Sequence, residues 1–195
     1  MTQSSPPATG RPRSTDRDHD LLVATQDLLA EVGYDRLTID AVAARCGAAK
    51  TTVYRRWAGK PELVTAAIGH LQNPGRIPDT GSLRGDLIEM AATWHDGDAR
   101  RDTIIAGLLT AMTGDSRLRD TVTTTITAPR RGVFAAIVDR ARRRGEITGS
   151  PDIELLGAVI PALTFHHVTV LAAPIDRAFI ERVVDQIVMP AFTAG

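Results

Sequence analysis

Hydrophobic residues return at helical spacing along nearly the whole chain. Leu21, Thr25, Leu28, Leu29 and Val32 fall at i, i+4, i+7, i+8 and i+11, predicting a helix from near Asp18 to Val32 with one inward face. Gly33 stands where such a helix stops. Thr38 is placed as an N-cap, and Asp40 lies in the following first turn, where its charge suits the helix dipole. Ile39, Val42, Ala43 and Cys46 give the second helix its i, i+3, i+4, i+7 stripe. A third helix is expected from Ala48 or Ala49, with Ala49, Val53 and Trp57 as its inward stripe. At about 100° per residue, Thr51 and Arg55 then point outward, Tyr54 lies beside them, and Lys50 reaches out from the flank. Gly59-Lys60-Pro61-Glu62 turns into a fourth helix, with Pro61 in the first turn, where its missing N–H costs nothing.

Residues 72–81 break all periodicity and read as a link to a second unit. Helical segments follow near 82–96, 99–113, 116–144, 151–172 and 176–192. Pro129 is expected to kink or split the third of these, and Pro161 and Pro190 raise the same question in the last two. No segment alternates with a period of two, so the fold class is all-α, with about nine helices. Residues 1–16 are rich in Pro, Ser and Thr and read as a disordered arm; 17–71 form a head that includes the fourth helix; 82–195 form a helical body. The arm carries Arg11 and Arg13, with Arg17 just beyond it. These could enter a minor groove or belong to a solvated tail.

Composition narrows this further. The 195 residues are 43% hydrophobic and 4% aromatic, enough aliphatic material for a helical core. The one cysteine, Cys46, excludes an internal disulfide and suits a reducing cytoplasm; it reads as a small buried hydrophobe. No secretory signal or membrane-length apolar run is present, so a cytoplasmic protein without membrane contact is expected. Formal net charge is zero, which argues against a nonspecific nucleic-acid coat. Yet Arg45, Lys50, Arg55, Arg56 and Lys60 lie within one short window that holds no Asp or Glu.

Two short helices around a Gly turn describe a helix-turn-helix, whose second helix reads the DNA major groove. Its N-terminal residues, Ala49, Lys50, Thr51 and Arg55, would meet base edges: Lys and Arg donate to guanine, and Thr and Ala methyls meet thymine methyls. Thr38, Thr52, Tyr54, Arg56 and Lys60 are better placed against phosphates, setting register without reading sequence. The plainer reading is a charged solvent face on an amphipathic helix pair.

The run from Leu21 to Leu63 resembles the DNA-binding domain of the TetR (tetracycline-repressor-type) family. The resemblance rests on Ala24, Leu28, Gly33-Tyr34, Leu37-Thr38-Ile39, Val42-Ala43, Gly47-Ala48, Thr52-Val53-Tyr54, Trp57 and Lys60-Pro61-Glu62-Leu63. It implies backbone contacts for Thr38, Thr52, Tyr54, Arg56 and Lys60, and base-facing positions for Lys50, Thr51 and Arg55. Cys46, Ala48 and Ala49 depart from the residues usual at their positions; Ala49 implies one fewer hydrogen bond where the recognition helix begins. The family pairs such a head with a helical body that dimerises and binds a small molecule. The implied protein is a dimeric repressor on a near-palindromic operator, released by an effector.

The last two segments are apolar nearly all round and must be buried on more than one side. They are expected to form the homodimer interface, or else a pair of central core helices. Met90, Trp94, His95, Met112, Phe134, Phe165 and His166 form the candidate effector pocket, a mix of soft and aromatic groups with polar tips. Each could equally be ordinary core. The five threonines of 121–127 could form a polar cavity wall or a solvated face. Adjacent His166 and His167 point about 100° apart and, with His95, lack an HxxxH partner, so no metal or cofactor is expected. Two other readings stand beside the effector-released repressor: a dimeric DNA-binding protein without an effector, and a small helical enzyme using His95 or His166. No nucleophile elbow or phosphate loop accompanies the enzyme reading.

Overall fold

The computed structural model describes residues 13–71, 76–94 and 99–193. Among them the chain forms α1 (Arg13–Arg36), α2 (Ile39–Arg45), α3 (Lys50–Tyr54), α4 (Lys60–Leu71), α5 (Leu83–Trp94), α6 (Ala99–Ala111), α7 (116–143), α8 (Ile153–Thr169) and α9 (177–193). No strand occurs among the described residues. No helix is long and apolar enough to cross a membrane.

Sequence chemistry sets the helix boundaries. Thr38, Asp115, Asp152 and Asp176 cap α2, α7, α8 and α9, each accepting a backbone N–H three residues on, at 3.1, 2.9, 3.0 and 2.7 Å. Gly33 has φ 74°, a left-handed conformation that interrupts α1 near its end, and Gly47 has φ 57° in the turn between α2 and α3. Two expectations need correction. α1 begins at Arg13, so residues 13–16 of the expected arm are helical; the rest of that arm lies outside the described residues. Ala49 is not part of an inward stripe. It is the exposed, extended N-cap of α3 and leaves Val53 as the fully buried anchor of that helix.

Pro129 neither splits nor breaks α7. A wide π-helical turn, Thr123–Thr127, lies just before it, and the N–H of Ala128 reaches the carbonyl of Thr123. The same device recurs in α9, where Val184–Val188 is wide, Met189 donates to Val184, and Pro190 follows. Proline lacks an N–H and crowds the carbonyl four residues back; widening the preceding turn relieves both problems. Pro161 sits inside α8 without a wide turn.

Two apolar cores result. The first joins α1–α4 to the start of the body: Leu21, Leu28, Leu37, Val42, Val53, Leu63 and Ile68 pack with Ile104 and Leu108 of α6 and with Leu118, Val122 and Ile126 of α7. It crosses the boundary drawn between residues 71 and 82. The second gathers Leu83, Leu87, Met90 and Trp94 of α5, Phe134 and Ile137 of α7, Leu156 and Ile160 of α8, and Ile180, Val184 and Phe192 of α9. A buried carboxylate, Asp86, ties its periphery together. It accepts from the Thr80 amide and hydroxyl at 2.6 and 2.8 Å and faces Arg140 and Arg144 at 3.1 and 3.4 Å. Burial alone would raise its pKa, but the Thr80 hydrogen bonds and then Arg140 hold it below the ordinary value.

Candidate nucleic-acid interface and body cavity

The α2–turn–α3 unit presents Lys50, Thr51, Tyr54 and Arg55 to solvent. Thr52, Arg56 and Lys60 are half-buried along its edge. Tyr54 is 48% exposed, with Lys50 Nζ 5.9 Å from its ring centre. Thr38 stands at the opposite end of the unit, where its hydroxyl already caps α2. Of the residues expected to meet bases or phosphates, Lys50 and Tyr54 lie side by side, whereas Thr38 caps α2 and Lys60 rests against Tyr34.

Acids absent from the basic window in sequence are supplied in space. Lys50 pairs with Asp40 at 2.7 Å, Arg45 with Glu31 through two hydrogen bonds of 2.8 and 2.7 Å, and Arg56 with Asp18. The hydrogen bond that Lys50 donates to Asp40 raises the Lys50 pKa, and the one that Arg45 donates to Glu31 lowers that of Glu31. Lys60 behaves differently: its Nζ donates to the Asp35 carbonyl at 3.2 Å and lies 4.1 Å from the Tyr34 ring centre. Burial lowers its pKa against the opposing pull of Asp35 and Asp115. Tyr34 in turn donates to Asp115 at 2.7 Å, the residue that caps α7. Burial, then Asp115, pushes the Tyr34 phenol well above its ordinary value. Arg117 of α7 reaches Glu62 of α4 at 2.7 Å. The DNA-facing unit is thus latched to the first turn of α7.

A cavity of about 340 Å³ lies where the two apolar cores meet. Ile68, Leu108, Val122 and Ile126 contribute from the first core, and Met90, Trp94, Phe134, Leu156 and Ile160 from the second. Of the expected pocket residues, Met90, Trp94, Phe134 and Phe165 line it, and His95 lies outside the described residues. Two expectations are corrected. Met112 follows the end of α6 and packs against the first core, away from the cavity. His166 is exposed, because it is turned about 100° around α8 from the cavity-lining Phe165. The threonine run divides: Thr127 lines the cavity, whereas Thr123 and Thr124 face solvent. Arg130 and Arg131 also line the cavity and were not expected there, because Arg130-Arg131 looks like any charged pair on a helix surface.

The last two helices do not bury all of their apolar surface within one chain. Leu155 is 64% exposed and Ile187 is 46% exposed, and Ala158, Pro161, Ala162 and Pro190 are exposed with them.

Comparison with known proteins agrees with this architecture along nearly the whole chain. Residues 21–67 match the family model for bacterial regulatory proteins of the tetR family, and residues 77–187 match a tetracyclin repressor-like C-terminal domain. The chain is 36% identical over 186 residues to a DNA-binding transcriptional repressor TetR of Mycobacteroides abscessus, covering 94% of this chain and 97% of that protein. The HTH-type transcriptional regulator AqdR of Rhodococcus erythropolis is 30% identical over 81% of this chain and 77% of its own. Among solved structures, the TetR family transcription regulator SCO0332 superposes with a TM-score of 0.66 at 26% identity, over 89% of this chain and 97% of its own. A TetR transcription regulator from Haloarcula marismortui shares the fold, with a TM-score of 0.67 at 16% identity over 91% and 97% of the two chains. These proteins are regulators, not enzymes. With both of its halves matched, the chain belongs to the TetR family of DNA-binding transcriptional regulators.

Proposed function

We propose that this regulator is a homodimeric repressor whose hold on its operator is weakened by a small molecule in the body cavity. The observation that carries the reading is the position of the cavity. Its walls include Ile68 of the DNA-binding unit and Leu108, Val122 and Ile126 of the body, which share one apolar core with that unit. A molecule that moves those side chains acts on the packing beneath the recognition helix. Pockets of this size that bury apolar ligands favour seams between packed units. Effector binding lowers DNA affinity by no more than the difference in its affinity for the two head arrangements.

In this reading Lys50, Thr51 and Arg55 meet base edges, while Thr38, Thr52, Tyr54, Arg56 and Lys60 meet phosphates. Lys50 would exchange Asp40 for DNA, since exposed pairs hold weakly. The exposed apolar side of α8 and α9, around Leu155 and Ile187, forms the two-fold interface, an isologous contact of the common dimer type. That places two recognition helices in half-sites about 34–36 Å apart, or a multiple of that spacing. The experiment is footprinting of the purified protein on DNA flanking its own gene, repeated with each compound that raises its melting temperature. A protected near-palindrome that such a compound releases is the expected result. Protection indifferent to every stabilising compound would instead support a DNA-binding dimer without an effector.

A further inference from the structure

Charges around the cavity balance in number but not in pairing. Asp102, Glu154, Arg130 and Arg131 all line it. Glu154 is ion-paired with Arg131, and Asp102 is already partnered. Arg130 is not. Its guanidinium carbon lies 4.8 Å from the centre of the Trp94 ring, and its Nη2 is shielded from solvent with no hydrogen-bond partner. Burial first, and then the like charge of Arg101, lowers its pKa to about 10. Leaving a cation desolvated without an anion costs stability, whereas apolar side chains of similar volume would not. Trp94 holds the flat group in place through its ring face, so the edge that carries the N–H donors is what remains to be bonded.

Arg130 also stands on the wall of a second, adjoining cavity of about 260 Å³, together with Met90, Trp94, Ile126, Thr125 and Arg76. Arg130 thus borders both an apolar chamber and a smaller, more polar one. A single unpaired cation matches a single negative charge, and a guanidinium edge matches a planar pair of oxygens. Building on the effector reading above, we propose that the effector is an amphipathic carboxylic acid. Its apolar body fills the larger cavity among Leu109, Phe134, Leu156 and Phe165, and its carboxylate accepts hydrogen bonds from Arg130. Binding neutralises the buried cation on α7, the helix whose first turn is latched to the DNA-binding unit.

The test is calorimetric titration of the full-length protein at pH 8 with decanoate, decan-1-ol and decyltrimethylammonium, each below its micelle concentration. Decanoate is expected to bind saturably and more tightly than the other two. Arg130→Gln should weaken decanoate by about tenfold or more, the worth of a lost charged hydrogen bond, and leave decan-1-ol nearly unaffected. Without ligand, the same variant should melt at or above the wild-type temperature, since it removes an unpaired buried charge; a structural arginine would give the opposite. Arg130→Lys, which keeps the charge and loses the fork, should fall between the two and serves as the variant if Gln does not fold. If decan-1-ol or the ammonium binds wild type as well as decanoate does, the acid proposal fails while the effector cavity stands. The acid proposal also fails if decanoate affinity ignores both substitutions. Saturable binding of none of the three would overturn both readings.

Discussion

At the DNA-facing end, Lys50 and Arg45 each rest against an exposed acid from a neighbouring element. In the body, Asp86 is wholly buried beneath Arg140 and Arg144, and Arg130 is shielded with no anion at all. The same residue types therefore serve opposite ends. Surface pairs trade partners at little cost, because water and salt already screen them. Buried groups cannot trade without leaving a charge stranded. The first arrangement suits a surface that exchanges partners; the second fixes a scaffold.

Substitutions can break this contrast, and the largest effect is expected at Asp86. Asp86→Ala leaves the Thr80 amide without its acceptor and takes the buried anion from Arg140 and Arg144, which keep Asp79 and Glu146, and should cost about 3–5 kcal/mol in a denaturant melt. Because the Asp86 pKa is lowered in the fold, its contribution is complete above its unfolded value of 3.8 and is lost as pH falls below that toward the folded value. The variant should therefore lack this part of the wild-type acid sensitivity. Next comes Arg55→Ala, expected to cost about 1–3 kcal/mol of operator affinity and to relax selectivity at one base position, with the melt unchanged. Equal losses on operator and random DNA would remove Arg55 from the base-reading set. Lys60→Ala should instead weaken binding to all sequences and lower the salt slope by about one. Unchanged affinity and slope would end its assignment as a phosphate anchor. The smallest effect is expected from Glu31→Gln, which leaves Arg45 exposed and free to find water; its melting temperature should match wild type within measurement error. A loss there comparable to that of Asp86→Ala would erase the distinction between the two ends.

The DNA-facing unit was readable in the chain because local signals there agree. The stripes of α1 and α2, the Thr38 cap, Gly47 and Val53 all fall where a helix-turn-helix needs them. Its ion pairs were not readable, since Glu31 and Asp18 reach the basic window only through tertiary packing. In the body, helix positions followed from periodicity, but the cavity residues followed only in part. Phe165 and His166 are neighbours with opposite fates, decided by the rotation of α8 against α6, which no local pattern encodes. Met112 carries the same soft chemistry as Met90 but packs against the other core. The exposed stripe at Leu155 looks like buried core when the sequence is read, because its aliphatic residues are those of an interior although the fold leaves them exposed.

The wide turn of α7 has a consequence best expressed as angle. Carried along an uninterrupted α-helix from Leu118, Arg130 would point about 120° away from that buried leucine, out toward the surface. Thr123–Thr127 absorbs one residue more than a regular turn, which brings the difference back to about 20°. Leu118, Val122, Ile126, Arg130, Phe134 and Val138, each four apart, then follow a single inward course. The turn that accommodates Pro129 is thus also what rotates a surface-type arginine into the interior. Removing one residue before the turn, within Arg119–Val122, should swing the half of α7 that follows it relative to the head, whereas removing one inside the turn should leave both halves in phase.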